Sequence, residues 1–301
     1  MKERMLLIVN PTSGTMRVKN EFLNVCRIFC EAGFSLEVHV TSGPRDGART
    51  VYENAGRFDL VVACGGDGTF NEAVSGALRG HFGGSVGFLP AGTTNDLAGS
   101  IAIPKNLVKA AELIAHTPGR FLDFGSFNRN RYFTYIASFG AFTDVSYSTD
   151  QKLKHVFGHM AYIAEAIGKV KDLRAYRMRV DLDGDCFEDE FLFGAAFNSF
   201  SIGGVMKLKK NLVDLTDGNH EVILVRNPKS AEDVAHLSRE LLSGEFENKS
   251  VLFLRGKKIV FECEEEIPWC LDGEFAGKHR CARIRNLHER LRVIYPAKDT
   301  P

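Results

Sequence analysis

Short apolar runs alternate with amphipathic stretches through the first 120 residues. Residues 5–9, 34–41, 60–64 and 85–89 are brief and either wholly apolar or alternating, and they read as strands. Between the first two, Phe22, Val25, Cys26, Phe29 and Ala32 recur at helical spacing, and Gly33 follows as a stop. Residues 45–55 and 70–78 read as further helices. Strand alternating with helix predicts a parallel sheet wrapped by helices. From Phe121 the pattern becomes mostly strand: 121–127, 131–138, 176–182, 187–197, 221–226, 257–263, 269–273 and 280–284. An Asp183-Gly184 pair supplies a hairpin turn, and helical periodicity returns only over 152–169 and 231–242. This predicts an antiparallel, β-sandwich-like second domain. The division expected is an α/β domain over residues 1–123, with 289–297 as a candidate completion, and a β-rich domain over 124–288. No flexible linker separates them near Leu122-Asp123, so a packed pair with a cleft is expected.

Composition narrows the function classes. The formal net charge is zero, so no global field recruits nucleic acid, and no nucleic-acid partner is expected. No apolar run of 18 residues occurs, so no transmembrane segment is expected, and the apolar stretch near the start is too short for a signal peptide. The seven cysteines show no CxxC spacing, which suits reduced thiols in a cytoplasmic protein. His155 and His159 lie four apart without an HExxH pattern and read as surface or packing residues.

Candidate chemistry gathers at three strand ends. These are Asn10-Pro11-Thr12-Ser13-Gly14, Gly65-Gly66-Asp67-Gly68-Thr69, and Pro90-Ala91-Gly92-Thr93-Thr94-Asn95-Asp96. In an open α/β sheet such ends lie on the ligand-binding edge. The glycines of the second motif permit positive φ and remove the Cβ atoms that hold a ligand away. Freed N–H groups and the positive end of the next helix then make an anion site. Asp67 would repel a phosphate unless a metal ion or a donor network stands between them, which points to a nucleotide carried with Mg²⁺. Neither GxxxxGK[ST] nor GxGxxG occurs. A GGDG string alone is equally a tight turn, and the convergence of three loops favours the ligand site.

In that order, the three motifs resemble the diacylglycerol kinase catalytic family, above all its soluble bacterial members. The likeness continues through Arg131-Tyr132-Phe133, Val145-Ser146-Tyr147, Leu153-Lys154 and Leu271-Asp272-Gly273-Glu274. Sphingosine and ceramide kinases look similar in the first domain, while NAD kinases and phosphofructokinases share only the glycine corner. The resemblance implies a NAD kinase/diacylglycerol kinase-like fold. It further implies an ATP- and Mg²⁺-dependent transfer of the γ-phosphoryl group to a lipid hydroxyl in the cleft between the domains. Diacylglycerol giving phosphatidic acid is the favoured reaction, a step of phospholipid biosynthesis. A sphingoid base, another lipid alcohol or NAD stay open as acceptors, and so does a catalytically silent nucleotide- or lipid-binding regulator.

Carried over by the resemblance, the nucleotide is held by Asn10, Pro11, Thr12, Ser13, Gly14, Thr41, Gly65, Gly66, Asp67, Gly68, Thr69, Phe70, Asn71 and Thr93. Asp272 falls on the general-base position, with Glu274 beside it. Asp67, Asp96 and Asp123 look like the Mg²⁺-facing carboxylates. A second, structural Mg²⁺ is implied at Asp217, with the Asp214 and Asn219 carbonyls. Lys209, Lys210 and Asn211 precede that loop where relatives tend to have Pro and Ala. Thr15 stands where relatives often carry lysine, and Arg17 or Lys19 is the candidate substitute. Lys207, Lys209 and Lys210 form the best local basic patch for a transient visit to a membrane surface, where the lipid substrate lives. The oligomeric state stays open, a homodimer included.

Overall fold

The computed structural model describes residues 3–13, 17–93, 95–141, 173–202, 206–208, 212–247 and 249–297. Gly14, Thr15, Val145-Ser146-Tyr147, Leu153-Lys154, His155, His159, the helix expected over 152–169, Lys209 and Lys210 lie outside them, as do the side chains of Arg17 and Lys207. The chain divides into one unit that ends at Asp123 and resumes at His288, and a second formed by Phe124–Leu287.

The first unit runs β1 (Arg4–Val9), α1 (Arg17–Glu31), β2 (Ser35–Val40), α2 (Asp46–Glu53), β3 (Leu60–Gly65), α3 (Asp67–Arg79), β4 (Ser85–Pro90), α4 (Asp96–Ser100), α5 (Leu107–His116) and β5 (Arg120–Phe121). Its sheet has the order β2-β1-β3-β4, then the returning strand Arg292–Val293, then β5. The first four strands are mutually parallel, as is the returning strand beside β4, and β5 is antiparallel. Strand β3 is buried along its whole length and β1 from Met5 on, as strands covered on both faces must be. Strand β2 is the exposed edge. Because the strands are parallel, the loops after β1, β2, β3 and β4 open on one edge.

The second unit contains β6 (Gly125–Phe127), β7 (Arg131–Phe133), β8 (Ile136–Gly140), β9 (Tyr176–Leu182), β10 (Asp185–Phe197), the short pair β11 (Ser201–Ile202) and β12 (Met206–Lys207), β13 (His220–Arg226), α6 (Ala231–Ser243), β14 (Val251–Gly256), β15 (Lys258–Leu271) and β16 (Glu274–Asn286); the returning strand is β17. All pairings within it are antiparallel. Strands β8 and β9 each bridge β10 and β15 at different stretches, so one hydrogen-bonded sheet wraps the core. Trp269 centres that core, with ring centroids 5.1–5.3 Å from Phe127, Phe139 and Phe261. A capping box, Ser230 with Asp233, starts α6. Asp183 and Gly184 both take positive φ (53° and 105°), as a type I′ hairpin requires.

Four predicted strand runs are divided or joined, and β14 forms where the pattern predicted no strand. The run 121–127 breaks into β5 and β6, because Asp123 between them turns inward onto His288. The run 131–138 breaks into β7 and β8, because the backbone N–H groups of residues 134–136 are drawn off the ladder by Asp272. Conversely, 257–263 and 269–273 fuse into β15, whose register against β16 shifts across Glu264-Glu265-Glu266.

Candidate functional site

At the carboxyl edge of the parallel sheet, the loops after β1, β3 and β4 are tied to one another. Asn10 N–H donates to the Cys64 carbonyl (3.0 Å), and Asn10 Nδ2 donates to Thr69 Oγ1 (3.2 Å). Asn10 Oδ1 in turn accepts from Thr12 N and Thr12 Oγ1, which winds residues 10–13 into an Asx turn. The Gly65 carbonyl accepts from Ala91 N (2.7 Å) and Gly92 N (3.1 Å). Asn95 clamps its own loop, accepting from Gly92 N and donating to the Gly92 carbonyl. Asp96 N–H donates to Asp67 Oδ2 (3.2 Å), joining the two aspartates singled out in the sequence.

The glycines serve this closeness, and the positive φ expected of them is not observed: Gly65, Gly66 and Gly68 all stay outside the left-handed region. A Cβ on Gly65 would lie 2.2 Å from Thr69 Oγ1, and one on Gly92 would lie 2.6 Å from the Gly66 Cα. Two backbones that touch this closely leave no room for side chains. Gly66 caps α3, whose first intrahelical bond is Phe70 N to the Gly66 carbonyl, so the N–H groups of Asp67, Gly68 and Thr69 have no partner within the helix. Phe70 itself is fully buried and stacks on Phe88 (4.7 Å), so only its backbone can meet a ligand. Thr93 is exposed, and Thr41 is half-buried with its N–H on the Val9 carbonyl.

Two residues here carried no signal in the sequence. Glu72, on α3, accepts from Arg45 N (2.6 Å) and Gly47 N (3.0 Å), and so holds the start of α2 against α3. Asp46 is buried and accepts from Ser42 N and Ser42 Oγ, with His39 and Arg49 also in contact. The Ser42 backbone bond leads these in holding its carboxyl well below the usual carboxylate range.

In the second unit, Asp272 and Gly273 form the two-residue loop between β15 and β16, both at positive φ (48° and 86°). The Asp272 carboxylate accepts four hydrogen bonds: Thr134 N (2.6 Å) and Thr134 Oγ1 (2.8 Å) on Oδ2, Tyr135 N and Ile136 N (both 3.0 Å) on Oδ1. Burial pushes its pKa above the ordinary aspartate value, against the downward pull of those four donors. Glu274, two residues on, is exposed. Arg131 donates to the carbonyls of Phe275 and Ala276, bracing the first residues of β16.

The Asp214–Asn219 loop consists of two successive Asx turns. Asp214 Oδ1 accepts from Thr216 N and Oγ1, and Asp217 Oδ1 accepts from Asn219 N (2.8 Å). Behind it Glu221 is fully buried; its Oε2 has no hydrogen-bond partner, and its Oε1 meets Arg255 Nε at 3.4 Å. Burial, with Asp217 adding to it, lifts the Glu221 pKa to about 7. Among the described residues, no three His, Cys, Asp or Glu side chains converge as a metal cluster. Asp123 is fully buried with His288 Nδ1 at 2.8 Å.

Comparison with known proteins places this arrangement. The diacylglycerol kinase catalytic domain family matches residues 4–127, and the YegS C-terminal NAD kinase beta sandwich-like domain matches residues 136–295. The diacylglycerol kinase of Bacillus subtilis (strain 168) is 30% identical over 296 residues, covering 98% of this chain and 97% of that protein. The chain belongs to the diacylglycerol kinase family. It is accordingly a lipid kinase. A diacylglycerol kinase of Staphylococcus aureus (strain MRSA252) is 31% identical over 301 residues, covering 98% of this chain and 93% of that protein. A crystal structure from Bacillus anthracis str. Sterne, described as a candidate diacylglycerol kinase, superposes with a TM-score of 0.83 at 26% identity, covering 99% of this chain and 97% of that one. No helix among the described residues of the kinase is long and apolar enough to cross a membrane.

Proposed function

We propose that this kinase transfers the γ-phosphoryl group of ATP to the hydroxyl of diacylglycerol, giving phosphatidic acid. The observation that carries the nucleotide half is the knot of glycine backbones at Gly65, Gly66 and Gly92, beside the N-terminal turn of α3, whose first N–H groups lie ahead of the intrahelical ladder. Such a surface suits phosphate oxygens, which need donors and close approach rather than side-chain bulk. Asn10, Pro11, Thr12, Ser13, Gly14, Thr41, Phe70, Asn71 and Thr93 would complete the nucleotide site, Phe70 through its backbone. Phosphoryl transfer asks the protein for positioning, charge neutralisation and an acceptor for the alcohol proton. Asp272 is our assignment for that acceptor, since burial raises its basicity while four donors fix its orientation.

Mg²⁺ bound with the nucleotide would neutralise phosphate charge. Asp67 and Asp96 are the carboxylates that would face it, and Asp123 would support them. A second Mg²⁺ would sit on Asp217 and the Asp214 and Asn219 carbonyls. The buried, unpartnered Oε2 of Glu221 behind that loop supports a cation there. The protein would act in the cytoplasm and meet its lipid at the membrane surface, with Lys207, Lys209 and Lys210 as the electrostatic contact.

The family description of the second unit as NAD kinase-like keeps NAD as the competing acceptor. The test follows labelled γ-phosphate into diacylglycerol, monoacylglycerol, a sphingoid base and a polyprenol in mixed micelles, and into NAD without lipid. Label in phosphatidic acid, dependent on Mg²⁺, is the expected result. Label in NAD alone, or in no acceptor, would overturn the proposal.

A further inference from the structure

We propose that Arg45 is a phosphate-binding residue of the nucleotide site, supplying the cation that the glycine motifs lack. The inference rests on the ATP-binding half of the reading above and adds a residue to it. Four stretches meet the carboxyl edge of the parallel sheet: residues 10–13, 41–46, 65–72, and 90–93 with 95–96. Across these stretches Arg45 is the single basic residue, against Asp46, Asp67, Glu72 and Asp96, while Arg17 and Lys19 follow in the first turn of α1. A polyphosphate brought there needs positive charge, and backbone N–H groups provide only partial charges.

The structure gives Arg45 an unusual setting. Its backbone is left-handed (φ 67°, ψ 0°) immediately before α2, a conformation that glycine adopts freely and arginine does not. The conformation is imposed from every side. Thr41 N–H is tied to Val9, Ser42 is held by buried Asp46, and Glu72 grips Arg45 N and Gly47 N with its two oxygens. Gly47 makes way for that carboxylate, because a Cβ there would lie 2.9 Å from Glu72 Oε2. Strain maintained by so many contacts is characteristic of functional loops. The side chain so presented is exposed and, among the described residues, has no carboxylate partner, whereas nearby Arg49 is paired with Asp46.

Position supports the same assignment. Glu72 belongs to the first turns of α3, the helix whose N-terminus bears the glycine corner, so the Arg45 loop is fixed directly to that corner. Strands β2 and β3 flank β1, which sets their carboxyl ends about 10 Å apart. An extended arginine spans most of that distance.

The test measures equilibrium binding of ATP, ADP and adenosine, with Mg²⁺ present, to the wild type, Arg45→Gly, Arg45→Gln and Arg45→Lys. Thermal midpoints are recorded on the same samples. Arg45→Gly and Arg45→Gln should bind ATP and ADP ~10-fold or more weakly, as loss of a charge-assisted bond requires, with adenosine unaffected. Arg45→Lys should recover part of the loss, since it keeps the charge without the planar fork. Arg45→Gly should melt no lower than the wild type, because glycine relieves the left-handed backbone. ATP affinity within twofold of wild type in Arg45→Gly and Arg45→Gln, or an equal loss for adenosine, overturns the inference alone. A wild type that binds neither ATP nor ADP overturns the nucleotide reading and the inference with it.

Discussion

Replacing Asp272 by Asn tests two roles at once, because the structure makes the residue both a candidate base and a structural clasp. Asn tolerates left-handed φ as well as Asp does, so the hairpin backbone is not the weak point. The weak point is the donor count. Four donors converge on two oxygens, and an amide offers one oxygen and one NH₂ group. The least costly rotamer keeps its oxygen on Tyr135 N and Ile136 N and turns NH₂ toward Thr134. The Thr134 hydroxyl can rotate to accept, but Thr134 N–H then faces another donor. One stranded buried N–H costs ~1–3 kcal/mol, and the two retained bonds lose their charge assistance, so a total of roughly 2–4 kcal/mol is expected. Thr134→Val isolates a single donor and should cost only about 1 kcal/mol.

The assay pairs urea unfolding with turnover on the same preparation, the rate being taken per folded molecule. Asp272→Asn should lose ~10²–10⁴-fold in turnover if Asp272 is the proton acceptor, and Thr134→Val should lose far less. A variant as stable as wild type within about 0.5 kcal/mol would refute the clasp reasoning. A variant that keeps more than about a tenth of the wild-type rate would remove Asp272 from the chemistry.

Three further outcomes are expected. Gly92→Ala forces a Cβ to 2.6 Å from the Gly66 Cα and 2.8 Å from Asn95 Oδ1, so it should lower the melting temperature and weaken ATP binding together; unchanged ATP affinity would show that the loops need not touch. His220 is fully buried against Phe133, and burial lowers its pKa to about 4; its stabilising contribution is present above pH 6.5 and is lost as pH falls toward 4, amounting to ~3 kcal/mol. His220→Phe should therefore flatten the acid limb of stability against pH, and an unaltered slope would contradict the burial argument. Asp217→Ala should abolish any rise of melting temperature on adding Mg²⁺, and an undiminished rise would move the second cation elsewhere.

Much of the fold was legible because period and burial agree. Residues 60–64 form an unbroken apolar run because β3 is covered on both faces, and Phe22, Val25 and Phe29 recur on one side of α1 because one side of that helix is buried. Long-range side-chain bonds were illegible. Nothing near residue 134 announces that a carboxylate 138 positions away takes its N–H and splits a strand in two. Nor does Glu72 advertise that it closes the turn before α2, since the spacing from Arg45 to Glu72 follows no local period. Motifs identify residues that meet a ligand; they are silent on the residues that hold those residues still.

The glycine corner sharpens the point. Three glycines in four positions suggest left-handed backbone, yet these stay at negative φ, and the left-handed non-glycine residues of the motif loops are Arg45 and Asn95 in the first unit and Asp272 in the second. Each of the three is fixed by side-chain to backbone bonds: Glu72 onto Arg45, Asn95 onto Gly92, and Asp272 onto residues 134–136. Asn and Asp enter that region at small cost because their short polar side chains bond locally. Arginine has no such compensation. The glycines thus mark where backbones must touch one another or a ligand, and the strained non-glycine residues mark where a side chain must be presented at a fixed angle. Of these, Arg45 alone presents a group that the described residues of the fold do not use, which is why its removal should leave stability intact and nucleotide affinity impaired.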